Sequence, residues 1–317
     1  MNHHRVCLLG GTGFVGRHLV PQLSRLGIEV TVVSRHPQRH RSLMVNQGCR
    51  VIEANVFDKD QLIKAFNGCD TVINLIGILN ERKKNDFRKV HVDLIDKISS
   101  ACRQAGIVRL LHMSAINANA GSGQSLYLRT KGEGENRAHT GGKPDVAVTS
   151  FRPSVIFGHD DSFINRFASL LKIPGPMPLA CPESKFAPVF VEDVCQAMVA
   201  SLNDRKTFGQ RYELCGPEVI SLKELVKYIA ANLGKRKIII GLSDGMSQMQ
   251  ASILEKLPGK AFTYDNYLSL QQDSVCSGKD AGFAELGITP TPMDAVVPGF
   301  LRDSSERSRY MDLRKLG

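Results

Sequence analysis

Two clusters of residues in this 317-residue chain have the types and spacing to do chemistry. The first is Gly10-Gly11-Thr12-Gly13-Phe14-Val15-Gly16, which follows the apolar run Val6 to Leu9 and opens the helical pattern Val15 to Leu26. A strand ending in such a loop lets the backbone approach a pyrophosphate closely, and the helix that starts there offers N–H groups and the positive end of its dipole. Three glycines at this spacing also mark plain tight turns, so the reading draws its force from the strand before and the helix after. The second cluster is Tyr127-Leu128-Arg129-Thr130-Lys131. On a helix, residues four apart share a face, so the phenol and the ammonium are neighbours. A phenol titrates near ~10 in water, and an adjacent ammonium favours the phenolate, which suits a group that must give and take a proton.

These groups need a scaffold, and the first half of the chain supplies one. Short β-branched runs at residues 5–9, 28–33, 50–54, 70–76, 108–113 and 146–151 alternate with helix-length segments. Such alternation requires crossover connections, which are right-handed and build a parallel sheet covered on both faces. The expectation is an α/β protein with a doubly wound, Rossmann-type parallel sheet and a smaller C-terminal α/β lobe. Ser114 then ends the fifth strand, thirteen residues before Tyr127. A hydroxyl there could equally cap nearby backbone. After Arg152-Pro153 the rhythm breaks, with Pro174-Gly175-Pro176 and Pro178 punctuating an irregular stretch. The boundaries read as residues 1–155 for the sheet domain, completed by 186–203, with 156–185 and 204–300 as the lobe and 301–317 as a basic tail. A helix over 192–202, a strand at 212–215, a helix over 221–233 and a strand at 237–240 are expected in the second half. Ser221 with Glu224 forms a capping-box pattern.

At the end of the second strand a carboxylate would accept hydrogen bonds from ribose hydroxyls and select NAD. This chain has Ser34-Arg35 there, with His36, Arg39 and Arg41 close behind. A guanidinium pairs with a 2′-phosphate that a carboxylate would repel, so NADP(H) is the preferred cofactor and NAD(H) the alternative. A solvated basic loop would look the same.

Composition narrows the partners. Lys and Arg number 41 against 31 Asp and Glu, a formal charge of +10. That favours phosphorylated cofactors, acidic proteins or an anionic membrane surface. The basic residues are dispersed and not interleaved with stacking aromatics, which argues against nucleic acid. The eight cysteines stand singly, with no CxxC pair or metal-ligand spacing, and read as reduced, mostly buried thiols; no metal is expected. No apolar stretch approaches the roughly 20 residues of a membrane span, and the N-terminus does not resemble a secretory signal. The expected location is the cytoplasm, with a peripheral place at the inner face of a membrane as the alternative.

The spacing GxxGxxG, with Tyr127 and Lys131 behind it, resembles the extended and atypical short-chain dehydrogenase/reductases, which include epimerase/dehydratase-like members. The resemblance implies that Gly10, Thr12, Gly13, Phe14, Val15 and Gly16 hold the pyrophosphate. It implies that the stretch Asn55 to Asp58, Asn55 and Val56 first, flanks the adenine. The stretch Asn74 to Ile78, with Leu75, Ile76 and Gly77 at its centre, would run along the adenosine ribose and nicotinamide end, and Met113, Tyr127, Lys131, Arg152 and Pro153 would complete the cofactor set. Tyr127 would be the acid/base, Lys131 its pKa-lowering partner and ribose holder, and Ser114 the hydrogen-bond donor to the substrate oxygen. Many relatives carry an Asn in the preceding helix for a proton relay, where this chain reads Val90-His91-Val92.

Longer stretches narrow the likeness: Leu111 to Ala115, Tyr127 to Glu135, Arg152 to Gly158, Asp161 to Phe167 and Phe186 to Val194. They resemble the NADPH-binding accessory subunits of respiratory complex I and their bacterial relatives, over most of residues 1 to 300. Two functions follow as expectations: an oxidoreductase acting on a small carbonyl or alcohol, quinone- or isoprenoid-related, or a non-catalytic module that holds NADPH and docks on a respiratory complex or membrane surface. A sugar-nucleotide epimerase is a third. Phe157, Phe163, Asn165 and Arg166, with Arg152, are the residues to inspect as substrate walls, although such phenylalanines are more often lobe core.

Overall fold

The computed structural model describes residues 5–301 except Gly259 and Ala261; the basic tail over 302–317 lies outside the described residues. By contacts the chain forms two units. The first comprises residues through Pro153, Val191–Leu214 and Cys276–Thr289; the second comprises Ser154–Phe190, Cys215–Val275 and the chain from Pro290.

In the first unit, β1 (Arg5–Leu9), β2 (Glu29–Ser34), β3 (Cys49–Glu53), β4 (Thr71–Asn74), β5 (Arg109–Met113) and β6 (Ala147–Pro153) form a wholly parallel sheet. Its spatial order is 3-2-1-4-5-6, with the strand Arg211–Leu214 added outside β6. β1 and β4 sit at the centre and are buried on both faces, which is why they read as continuous apolar runs rather than alternating ones. The helices α1 (Phe14–Arg25), α2 (Lys59–Phe66), the short α3 (Asp86–Arg88), α4 (Leu94–Gln104) and α5 (Leu126–Gly142) connect the strands. α4 buries Leu94, Ile95, Ile98, Ala101 and Cys102, a stripe at helical spacing. Each large side chain removed from water there contributes about 1.5–3 kcal/mol. They join Cys7, Leu9, Leu62, Phe66, Val72 and Leu110 in one core. β4 ends earlier than the apolar run suggests, because the Asn74 side chain accepts the Ile76 N–H at 3.2 Å and turns the chain out of the sheet.

Residues 204–214 and 276–289 fall within the sequence-based lobe boundaries but pack in the first unit. Arg109 explains much of this. Its side chain is fully buried, donating to the carbonyls of Ala147 and Ser201 and to the hydroxyls of Thr149 and Thr207 at 2.7–3.0 Å. The guanidinium also lies over the Phe208 ring, 4.5 Å from its centroid. It pins the segment leading into Arg211–Leu214, and the Glu213 N–H then donates to Ala281 O at 2.8 Å.

The second unit has three two-stranded ladders: β7 (Ile156–Phe157) with β10 (Val189–Phe190), β9 (Lys185–Phe186) with β12 (Ile220–Ser221), and β8 (Met177–Leu179) with β13 (Ile239–Gly241). α6 (Ile164–Leu170), α8 (Leu222–Asn232), α9 (Asp244–Leu254) and α10 (Tyr264–Leu270) complete it; α7 (Val191–Ala200) and β11 (Arg211–Leu214) belong to the first unit. Ser221 and Glu224 form the expected capping box on α8. Cys7, Cys49, Cys69, Cys102, Cys181 and Cys195 are free thiols. Cys215 and Cys276 are disulfide-bonded, which corrects the expectation of eight reduced cysteines. Single cysteines 61 positions apart give no local pairing signal.

Candidate dinucleotide site and acid–base cluster

β1 hands the chain to α1 through the glycine loop. Gly10 has φ +78°, and a Cβ on it would meet the Leu75 carbonyl carbon at 3.0 Å and Ile76 N at 3.1 Å. A Cβ on Gly16 would lie 2.4 Å from Gly11 Cα, so the first turn of α1 rests directly on the loop backbone. No side chain caps α1 at Gly13, and its first turn has no acidic residue. A shallow cradle that any side chain would fill, at the positive end of an uncapped helix, fits a pyrophosphate. Thr12, Phe14 and Val15 are half-buried along it.

At the end of β2, the Ser34 hydroxyl accepts the His36 N–H at 3.1 Å and shapes the corner. Arg35 is exposed and, among the described residues, makes no ion pair. Arg41 donates to Gln38 Oε1 at 2.8 Å. After β3, Asn55 is used within its own turn: its Oδ1 accepts the Phe57 N–H at 3.0 Å, and its N–H donates to Gln61 Oε1 at 2.7 Å. Val56 is half-buried beside it.

Leu75, Ile76 and Gly77 leave β4 and run toward α5. A Cβ on Gly77 would lie 3.8 Å from Lys131 Nζ and 3.9 Å from His91 Nε2. Lys131 is buried, its Nζ donating to Met113 O at 2.6 Å across the end of β5. Burial pushes this ammonium down to about 8, with Glu135 pulling the other way. Tyr127 stands one helical turn earlier on α5, half-buried, its ring against those of Phe87 and His91.

His91 reaches the cluster through a π-helical turn over Lys89–Asp93. Such bulges insert an extra residue into a helix and occur often at functional sites. α5 accommodates the bulge at Gly134, where a Cβ would collide with His91 O at 1.9 Å. His91 Nε2 accepts the Ile78 N–H at 3.2 Å, so Nδ1 carries the proton and donates to Thr130 Oγ1 at 3.0 Å. Burial, then the charge of Lys131, then His112, hold its pKa at about 2. His112 is likewise held neutral by burial and takes a hydrogen bond from Asn74 Nδ2 at 3.2 Å.

Ser114 is buried at the end of β5, its N–H bonded to Phe151 O at 2.7 Å. Its hydroxyl has no well-aligned hydrogen-bond partner, but it lies near the Glu135 carboxylate and helps hold it down. Burial raises the Glu135 acid, and Arg152, Ser114 and Arg211 outweigh that and keep it below the usual carboxylate range. Arg152 is engaged by all three nitrogens, with Glu135 at 2.7–3.1 Å and Asp280 at 3.0 Å. It therefore braces α5 to β6, and Pro153 is buried beside it. Sequence reasoning missed Glu135, although it lies four residues after Lys131 on the same face of α5. It gave His112 no role, and it placed Asn74 only in the segment beside the adenosine ribose and nicotinamide end.

The residues expected to line a substrate pocket lie in the second unit. Phe157 is fully buried, packed on Phe190 with ring centroids 5.6 Å apart. It sits in the lobe core, in one apolar cluster with Ile164, Leu225, Ile229 and Phe300. Phe163 is partly buried against Phe167 and Phe186. Asn165 Nδ2 donates to the carbonyls of His159 and Asp161, closing the turn into α6. Arg166 is exposed, and partial desolvation of its guanidinium lowers its pKa.

The sheet, the glycine cradle and the tyrosine–lysine face define a nucleotide-cofactor protein of the epimerase and reductase type. The family described as NAD(P)H-binding matches residues 10–137. The NADH dehydrogenase (ubiquinone) 1 alpha subcomplex subunit 9 of Rattus norvegicus mitochondria is 31% identical over 90% of this chain and 77% of its own length. The chain belongs to that subunit's family. It is also 28% identical to a ceramide reductase of Caulobacter vibrioides, over 62% of this chain and 60% of the reductase. The solved NADPH-dependent quinone oxidoreductase QOR2 of Escherichia coli shares the fold, with a TM-score of 0.72, 17% identity and coverage of 91% and 96% of the two chains. No helix among the described residues is long and apolar enough to cross a membrane.

Proposed function

We propose that this chain is an NADP(H)-dependent oxidoreductase that interconverts a small carbonyl and its alcohol, of quinone or isoprenoid type, through Ser114, Tyr127 and Lys131. The observation that carries the reading is the buried Lys131 ammonium. It lies beside Gly77, is bonded to Met113 O, stands one turn from Tyr127 and is pushed down to about 8. Burying a lysine costs stability, and a site that only held a cofactor would have little use for one next to a phenol. A bound nicotinamide supplies or accepts the hydride. Tyr127 gives its proton to the carbonyl oxygen as the new C–H bond forms, and Lys131 favours the phenolate left behind. Arg35 is the residue for the 2′-phosphate. Likeness to a ceramide reductase adds support for a reductase.

The second reading is a non-catalytic, NADPH-holding accessory protein docked on a respiratory complex or membrane surface. The 31% identity with a subunit of that kind over 90% of the chain favours it. Absorbance of bound NADPH, followed against a panel of quinones, aldehydes and ketones with Tyr127→Phe as control, decides between them. Oxidation that the substitution abolishes supports the enzyme. A cofactor that stays bound and reduced across the panel supports the module.

A further inference from the structure

In the second unit, α9 is inside out. A helix on a globular surface buries its large apolar residues and exposes small or polar ones. α9 instead buries Ser247 and Ala251. It exposes Met246, Met249 and Ile253, which recur at spacings of three and four along one face, and Leu257 continues the row just beyond the helix. Met249 and Ile253 are 58% and 55% exposed. The helix is firmly seated on its small-residue side. Ser247 Oγ donates to Ser243 O at 2.9 Å and accepts the Cys181 N–H at 3.1 Å, and Asp244 accepts from the Tyr267 hydroxyl at 2.8 Å.

The chain just before α9 repeats the theme. In the β8–β13 ladder Met177 and Leu179 are buried, whereas Ile240 and, just before β13, Ile238, 72% exposed, face solvent. Ile173, 58% exposed, lies on the neighbouring loop, where Lys237 Nζ donates to its carbonyl. The two loops enclose a hollow of about 410 Å³ whose charged lining residues are Lys172, Lys235, Arg236 and Lys237, with no carboxylate. Lys172, Lys235 and Arg236 make no ion pair among the described residues.

We infer that the second unit docks on an anionic phospholipid surface through Ile173 and Ile238 with the cations around Lys235 and Arg236, and that the Met249–Ile253 stripe of α9 meets the same surface. Apolar tips ringed by uncompensated Lys and Arg match the two demands of that surface: an apolar phase, and phosphates at its boundary. Long basic side chains can lie along the apolar layer and keep their heads among the phosphates. A protein partner would have to bring several carboxylates and an apolar groove in one patch. A free polyanion would leave the isoleucines and methionines unrewarded. The inference does not depend on whether Tyr127 turns over a substrate.

Flotation of the full chain with phosphatidylcholine vesicles, alone and doped with phosphatidylglycerol, tests it. Wild type is expected to float with the anionic vesicles and to be released by salt. Ile238→Ser with Met249→Ser and Ile253→Ser is expected to weaken that partitioning about tenfold or more. Lys172→Gln with Lys235→Gln and Arg236→Gln is expected to abolish the preference for phosphatidylglycerol. NADPH binding and thermal melting, which read the fold, should stay at wild-type values in both. Three results would overturn the inference. Wild type could fail to float. Both variants could float as wild type does, which moves the contact elsewhere, for instance to residues 302–317. Or the serine variant could only convert a dimer to a monomer, which makes the occupant a second copy of the chain.

Discussion

The Tyr127 ring stands edge-on to the His91 imidazole, with centroids 5.5 Å apart and ring planes at 80°. His91 is the group nearest in type to a proton relay, but its hydrogen bonds fix it as a neutral Nδ1–H tautomer. Nε2 is occupied by the Ile78 N–H and Nδ1 faces Thr130. With its pKa held at about 2 by burial, Lys131 and His112, it takes up no proton between about pH 5 and 8. Ring resonances of His91 followed by NMR across that range are expected to stay flat. Titration near the ordinary histidine value of 6.5 would refute the assignment.

Lys131 should leave a mark on stability. Its pKa is about 8 in the fold against 10.5 in the open chain. Between those values the unfolded state holds the proton and the folded state has released it. Stability therefore rises with pH across that window, and below it the full cost is present, roughly 3 kcal/mol. Lys131→Met is expected to flatten the difference in urea unfolding free energy between about pH 8 and 10.5. At neutral pH the variant should be at least as stable as wild type, despite losing the bond to Met113 O, and should bind NADPH more weakly. A variant markedly less stable than wild type at pH 7 would contradict this.

Glu135 has the opposite sign. Its folded pKa lies below the ordinary 4.5, since Arg152, Ser114 and Arg211 overcome the effect of burial. Its contribution is fully present above 4.5 and is lost as pH falls through the depressed folded value. Glu135→Gln leaves two guanidiniums short of their shared carboxylate and is expected to cost about 3 kcal/mol at neutral pH. The gap from wild type should close as the solution is acidified. Chemical denaturation at a series of pH values measures it, and a gap that persists or widens in acid would count against the network.

The central sheet and the glycine loop were legible because both rest on short-range rules. β1 and β4 are buried on both faces and so read as apolar runs, and Gly10 and Gly16 stand where backbone meets backbone. His91 was visible only as a departure from an expected Asn, since a π turn breaks the 3.6-residue period that sequence patterns rely on. The return of 204–214 to the sheet depends on Arg109 meeting Thr207 across 98 positions, which no window contains. Phe157 shows the converse limit: an apolar residue in a lobe fits a core and a pocket wall equally well until its exposure is known. Ser114 and Arg152 were found by motif, but Glu135, the carboxylate beside both, was not.

Arg35 offers the sharpest test of cofactor choice, because NADPH and NADH differ only in the phosphate it would hold. The residue follows β2 directly, is exposed, and has no ion pair among the described residues, so its guanidinium is available for bidentate pairing with a phosphate. Arg41 donates to Gln38 and is a weaker candidate for the same contact. Arg35→Asp replaces attraction with repulsion at one point and leaves the glycine cradle untouched. Its affinity for NADPH is expected to fall about a hundredfold, roughly 3 kcal/mol, with NADH binding held or improved. Arg39→Ala, four residues further on within the 3-10 helix Pro37–Val45, should cost tenfold less. Titration calorimetry with both cofactors reads the ratio, and wild-type protein that binds the two equally would remove the phosphate contact from the account.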